Sequence, residues 1–94
     1  MRLTVVTRRD LTSGQQCAQL MHGALQFAGD YKLDLRSATV VCLTVRDREH
    51  LTKLVSELFS KSINYSSYAE EDLDHQITAV AFADIKCPVH AQLF

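Results

Sequence analysis

The 94-residue sequence predicts a single α/β domain over residues 1–94. Three observations carry that prediction. Two segments place apolar residues at helical spacing, several uncharged β-branched runs read as strands, and the two kinds alternate along the chain. Hydrophobic residues make up 47% and charged residues 22%, with one proline and three glycines, which excludes disordered, collagen-like and linker-like chains. A chain of this length buries only about 60 to 65% of its extended surface, so a dimer partner would supplement its core.

The first strand is read over residues 3–7. A helix follows, whose apolar positions Cys17, Leu20, Met21, Ala24, Leu25 and Ala28 form one face; Ser13 and Gln16 fit a capping box, and Gly29 fits a stop. Residues 38–45, ATVVCLTV, are β-branched and uncharged, which predicts a strand buried on both faces rather than an edge strand. The second helix begins near Asp47 as N-cap and places Leu51, Leu54, Val55, Leu58 and Phe59 on one stripe, with Lys61 in its last turn. Residues 64–68, NYSSY, make a more polar strand near an edge, and residues 76–83 make a buried one. The acidic stretch 70–74 joins these two, and Pro88 opens a short terminal helix ending at Phe94. The order is strand, helix, strand, helix, strand, strand, with a short C-terminal helix, which implies parallel crossover units. No linker, repeat or low-complexity segment interrupts it.

Ten Lys and Arg against eleven Asp and Glu give a formal net charge of −1, so no global field recruits nucleic acid, and a polyanion would need a local patch. The odd cysteine count and wide spacing of Cys17, Cys42 and Cys87, without C-x-x-C, predict reduced thiols that pack in apolar runs. The short apolar stretch at residues 3–6, followed by Arg8, Arg9 and Asp10, matches neither a signal peptide nor a membrane span. A cytoplasmic protein without a membrane partner is the expectation.

Three features could carry chemistry. On the first helix Gln15, Gln19, His22 and Gln26 fall within about 60° of one another, opposite the apolar face. A solvated face normally carries Lys and Glu, so an uncharged, hydrogen-bonding stripe suggests a docking surface, the plain alternative being an exposed polar helix. His22 can move a proton near neutral pH. The second feature is the acid cluster Glu70, Glu71, Asp72 and Asp74 before His75, where crowded carboxylates could make a general base; an ordinary acidic turn in water is the commoner outcome. No ligand spacing for a metal accompanies it. The third is Arg8, Arg9 and Asp10 at the end of the first strand, where guanidinium groups and helix N-terminal amides would hold a phosphate, with Arg2, Arg46 and Arg48 as possible extensions. Nucleotide-binding glycine loops, nucleophile elbows and zinc-protease motifs are absent.

The segment VVTRRDLTSGQQCAQLMHGALQF, residues 5–27, resembles the opening motif of the second peptidyl-tRNA hydrolase family, the archaeal and eukaryotic type, in its shorter bacterial branch. Its matching residues are Arg8, Asp10, Leu11, Gly14, Ala18, Gln19, His22 and Gly23. The strand at 38–45, the helix from Asp47 and the ending DLDHQITAVAF, residues 72–82, follow the family's layout, so the resemblance spans most of the chain. It implies a four-stranded mixed sheet flanked by helices, a homodimer, no cofactor, and hydrolysis of the ester between a peptide and tRNA. By the resemblance, Asp72 relayed by His22 activates water, Gln19 and Gln15 orient the ester, and Arg8, Arg9, Asp10, Gln76 and Thr78 hold the substrate. The chain departs from the family where Gln15 stands for a lysine and where the D-A-G-x-T-Q turn is shortened to Asp72, Leu73, Asp74, His75 and Gln76. These departures support the other reading, a non-catalytic module that contacts RNA or protein through the Gln15, Gln19, His22 and Gln26 face.

Overall fold

The computed structural model describes residues 1–94. Strand β1 (Arg2–Arg8) is followed by helix α1 (Ser13–Tyr31), strand β2 (Thr39–Val45), helix α2 (Arg48–Ser60), strands β3 (Tyr65–Glu70) and β4 (Gln76–Ala83), and a two-residue strand β5 (Gln92–Leu93). They form one mixed sheet in the order β3-β4-β1-β2-β5. β1 and β2 pair in parallel across the α1 crossover, β4 lies antiparallel between β1 and β3, and β5 runs antiparallel to β2.

The expected four-stranded sheet and short C-terminal helix are therefore corrected to five strands and two helices, and the element order differs in its last member. Ile85, Cys87, Val89 and Ala91 all pack against the core on the α2 face of the sheet. Their spacing of two is that of an extended chain, whereas a helix from Pro88 to Phe94 would be too short for its hydrogen bonds to offset nucleation.

β1 is the spine. Its residues Leu3 to Arg8 are all buried because neighbouring strands flank it and a helix covers each face. Leu3, Val5 and Ala81 meet Leu20 and Phe27 of α1 on one face. Val6, Val45, Val80 and Phe82 meet Leu51, Leu54 and Leu58 of α2 on the other. Each fully buried leucine of α2 contributes roughly 1.5–3 kcal/mol relative to an exposed one.

α1 presents a different face from the one its apolar spacing predicts. Gln19, Leu20, Gly23 and Phe27 point inward, while Cys17 is exposed and Met21 and Leu25 are 66% and 56% exposed. No charged residue occurs between Ser13 and Gly29, so hydrophobic contrast could not orient the helix. Close approach does: a Cβ on Gly23 would lie 2.9 Å from the Ala79 Cβ and 3.0 Å from the Val5 Cγ1. The helix ends shift too. Thr12, with Gln15, forms the capping box in place of Ser13 and Gln16, and the helix passes Gly29 to end at Lys32, whose φ of 53° is left-handed.

Asp47 caps α2 by accepting a hydrogen bond from the His50 amide, but Phe59 is 75% exposed instead of packed, and Lys61 follows the last turn as C-cap. β2 is not buried on both faces. Thr39 and Val40 are exposed because α1 lies over β1, β3 and β4, and β5 covers only Leu43 and Thr44 on the outer edge. No helix is long and apolar enough to cross a membrane.

Candidate functional site

β1, β2 and β3 run in one direction, so their carboxyl ends share one rim with the starts of α1, α2 and β4. Ligands of α/β sheets bind at such rims. A bulge shapes this one. Tyr68 pairs with Ala79 but Ala69 pairs with Ile77, which leaves Thr78 as the extra residue. Ile77 and Val80 pack on the α2 face, and the bulge turns Thr78 towards α1 against the normal alternation.

The Thr78 hydroxyl donates to the Gln19 Oε1 at 2.6 Å, with the Tyr68 carbonyl at 3.3 Å as its second acceptor. The Thr7 hydroxyl donates to the Thr78 carbonyl at 2.7 Å. Gln19 in turn donates its Nε2 to the Glu70 Oε2 at 2.9 Å. Gln19 and Thr78 are both buried, so each end of the amide is satisfied and its orientation is set. The Gln19 amide holds the Glu70 carboxyl below its ordinary value, more than burial raises it, with help from the Asp72 amide, the charge of His22 and the Glu71 amide. The His22 ring stacks on Tyr68, with centroids 4.6 Å apart and planes 8° from parallel, an arrangement that fixes the ring and engages neither nitrogen.

The structure thus unites Gln19, His22 and Thr78 and adds Glu70 and Tyr68. Asp72 is exposed on a 3-10 turn at Glu71–Leu73, and its amide reaches the Glu70 carboxylate at 3.5 Å. The carboxylate that touches α1 is Glu70. Sequence reasoning counted Glu70 in the acid cluster without singling it out, and it missed Tyr68. The available signal was that Tyr68 and Glu70 share a strand parity immediately before the turn.

The polar stripe of α1 is partly engaged within the chain. Gln15 accepts from the Thr12 amide at 2.9 Å through Oε1, Gln19 is buried, His22 is stacked, and Gln26 donates to Asp30 at 3.0 Å. The Gln15 Nε2 and the His22 ring nitrogens remain to bond outward.

Arg8 is likewise absorbed. Its side chain is 8% exposed; Nε and Nη2 grip both oxygens of Asp10 at 2.9 and 2.8 Å, and Nη1 donates to the Gln76 Oε1 at 2.9 Å and the Ile77 carbonyl at 3.2 Å. That grip holds Asp10 below its ordinary value and raises Arg8. Arg8, Asp10 and Gln76, expected to hold substrate, therefore tie the end of β1 to the start of β4. Arg9 is exposed, steadied by hydrogen bonds from Nη1 to the Thr44 carbonyl at 3.0 Å and the Thr44 Oγ1 at 3.3 Å. The three cysteines are free. Cys17 is exposed rather than packed, while burial pushes the half-buried Cys42 and Cys87 thiols up.

No family model matches the sequence, and no curated protein matches it. Among solved structures, the chain is similar to a protein of unknown function from Agrobacterium tumefaciens strain C58. The TM-score is 0.76 at 18% identity, over 99% of this chain and 96% of that one. The likeness shows a shared fold across the length of both chains.

Proposed function

We propose that the protein hydrolyses an ester of the peptidyl-tRNA type at the rim formed by Gln15, Gln19, His22 and Glu70. The observation that supports it best is a carboxylate held by the Gln19 amide and in charge interaction with a histidine whose ring plane is fixed by stacking. In this reading His22 takes the proton of an attacking water, Glu70 stabilises the resulting imidazolium, and the imidazolium returns the proton to the leaving ribose oxygen as the acyl C–O bond breaks. Gln15 and His22 are seven residues apart on α1, about 10.5 Å along its axis. That span accommodates a water on the histidine, the carbonyl carbon it attacks, and an oxyanion about 3 Å from the Gln15 Nε2. Gln19 and Thr78 are positioning residues, because their polar atoms are engaged with each other and with Glu70. Arg9, free on most of its guanidinium, is the phosphate contact in place of Arg8.

The test is release of free N-acetyl amino acid from N-acetyl-aminoacyl-tRNA. Glu70→Gln and His22→Asn should each lower kcat by about 10²-fold or more with KM little changed. A wild-type rate no higher than buffer removes the proposal.

One observation favours a second reading, a non-catalytic binding module. α1 carries no charge from Ser13 to Gly29 and exposes Cys17, Met21 and Leu25, a composition typical of interface centres. A silent wild type that gains turnover as Gln15→Lys decides for that reading.

A further inference from the structure

Beyond the α1 side of the rim, the opposite side holds a cleft of about 450 Å³. Arg9 from the end of β1, Arg46 from the end of β2, His50 and Lys53 from α2, and His90 from the C-terminal segment converge on it, with Glu57 as its single acid. Glu57 is engaged by Lys61 at 3.6 Å. The other nearby carboxylate, Asp47, caps α2 and pairs with His50 at 2.7 Å; it lies 3.9 Å from the Arg46 Nε. Arg46 nevertheless remains 76% exposed on its side chain. Three permanent cations and two imidazoles thus gather in one concavity of a protein whose formal net charge is −1.

Such a gathering is not the pattern of a solvated face, where charges of both signs alternate. Four separate chain segments deliver the groups, and the walls of a cleft focus their field. The Arg9 guanidinium is anchored through Nη1 to the Thr44 carbonyl at 3.0 Å, which leaves its Nε and Nη2 edge for an anion. His50 uses Nδ1 on Asp47, so its Nε2 is the free ring nitrogen. The volume lies within the range that small ligands occupy, about 300–1,000 Å³.

We propose that this cleft is an anion site that takes a phosphate group, gripped by Arg9, Arg46 and Lys53 and hydrogen-bonded by His50 and His90. The phosphate comes either from a nucleic-acid backbone or from a free phosphorylated small molecule. The site shares Arg9 with the proposed hydrolase but does not depend on ester hydrolysis at the α1 side of the rim. If the phosphate is an RNA phosphate, the two sites lie on either side of one sheet edge and would serve one substrate.

The experiment follows the four histidine rings by NMR while inorganic phosphate, adenosine monophosphate and a short RNA hairpin are titrated into the full chain. The His50 and His90 signals should move with phosphate while His22 and His75 stay still, and the double variant Arg46→Gln, Lys53→Gln should weaken binding at least tenfold. Both replaced side chains are exposed, so the variant is expected to fold, and an unchanged amide spectrum away from the cleft confirms that it does. Tightest binding of the hairpin, with a logarithmic salt slope that falls by about two in the variant, assigns the phosphate to nucleic acid. Tightest binding of the monophosphate with little salt slope assigns it to a small molecule. Unmoved His50 and His90 signals with all three probes, or equal binding by the variant, overturns the site. Turnover of an N-acetyl amino-acid ester lacking RNA, measured alongside, reports on the reaction centre alone, so each proposal can fail without the other.

Discussion

Arg8 and Arg9 are adjacent in sequence and opposite in role. Arg8 has its guanidinium divided among Asp10, Gln76 and the Ile77 carbonyl. Arg8→Ala should therefore cost about 1–3 kcal/mol in urea unfolding, since Gln76 and the carbonyl lose their donor. Arg9→Ala should change stability by no more than about 0.5 kcal/mol and weaken RNA binding. The reverse pattern would show that Arg8 reaches the ligand. Gln19 allows a test of linkage. Glu70 has a folded value below its ordinary 4.5, so the unfolded chain binds more protons as pH falls through that range. The carboxylate's contribution is thus present above the ordinary value and lost as pH falls through the folded one. Gln19→Leu removes the main cause of the shift, so the loss of stability below about pH 4.5 should be shallower in the variant than in wild type. Asp10, Asp34 and Asp47 are also held low by their partners, but they contribute to both proteins and cancel. Parallel curves would deny the Gln19 to Glu70 bond in solution.

At the scale of elements, α1 closes on a residue poorly suited to its place. Lys32 occupies the left-handed cap position, its amide bonded to the Ala28 carbonyl. An L side chain pays about 1–2 kcal/mol there and glycine does not, although glycine costs about 0.4–1 kcal/mol through the unfolded chain. Lys32→Gly should accordingly raise stability by up to about 1 kcal/mol, seen as a rise of several degrees in Tm. An unchanged or lower Tm would mean that the Lys32 stem contributes packing of comparable size. How far each element could be read from sequence follows the same physics. α2 was legible because Asp47 supplies its cap and three leucines mark one stripe against charged neighbours. β4 was legible because its apolar run is bounded by an acidic turn. α1 was legible as a helix but not in its rotation, since its faces differ little in polarity and Gly23 sets the approach through a contact with Ala79 and Val5 that lies more than 15 residues away on either side. The C-terminal strand was missed because the single proline suggested a helix start, while the period-two signal of Ile85, Cys87, Val89 and Ala91 pointed to an extended chain. Of the site, Gln19, His22 and Thr78 carried a motif; Glu70 entered only through a bulge, whose position depends on strand register and leaves no mark in local composition.

Across the whole molecule, the sheet is covered unequally, and the imbalance bears on assembly. α2 and the C-terminal segment cover one face, whereas α1 sits over β3, β4 and β1, leaves Val40 of β2 43% exposed and exposes its own Met21 and Leu25. Val40 and Cys42 share the α1 side of the sheet with Leu3 and Val5, their register partners in β1. A helix without charge from Ser13 to Gly29, next to a half-covered β-branched strand, neither repels nor orients an identical copy by charge there, so burial of the apolar residues is the term that would favour pairing. A homodimer, the assembly implied by the resemblance, is expected to use this surface. Sedimentation equilibrium on wild type should give twice the mass of the 10.6 kDa chain, and Met21→Glu with Leu25→Glu should return it to a monomer, because two carboxylates would then be buried without partners. Since both residues point to solvent in the single chain, the monomer should retain its fold by circular dichroism. If wild type sediments as a monomer, α1 is left open to a different partner. If the doubly substituted chain remains a dimer, the contact lies elsewhere, and the unequal covering of the sheet has another cause.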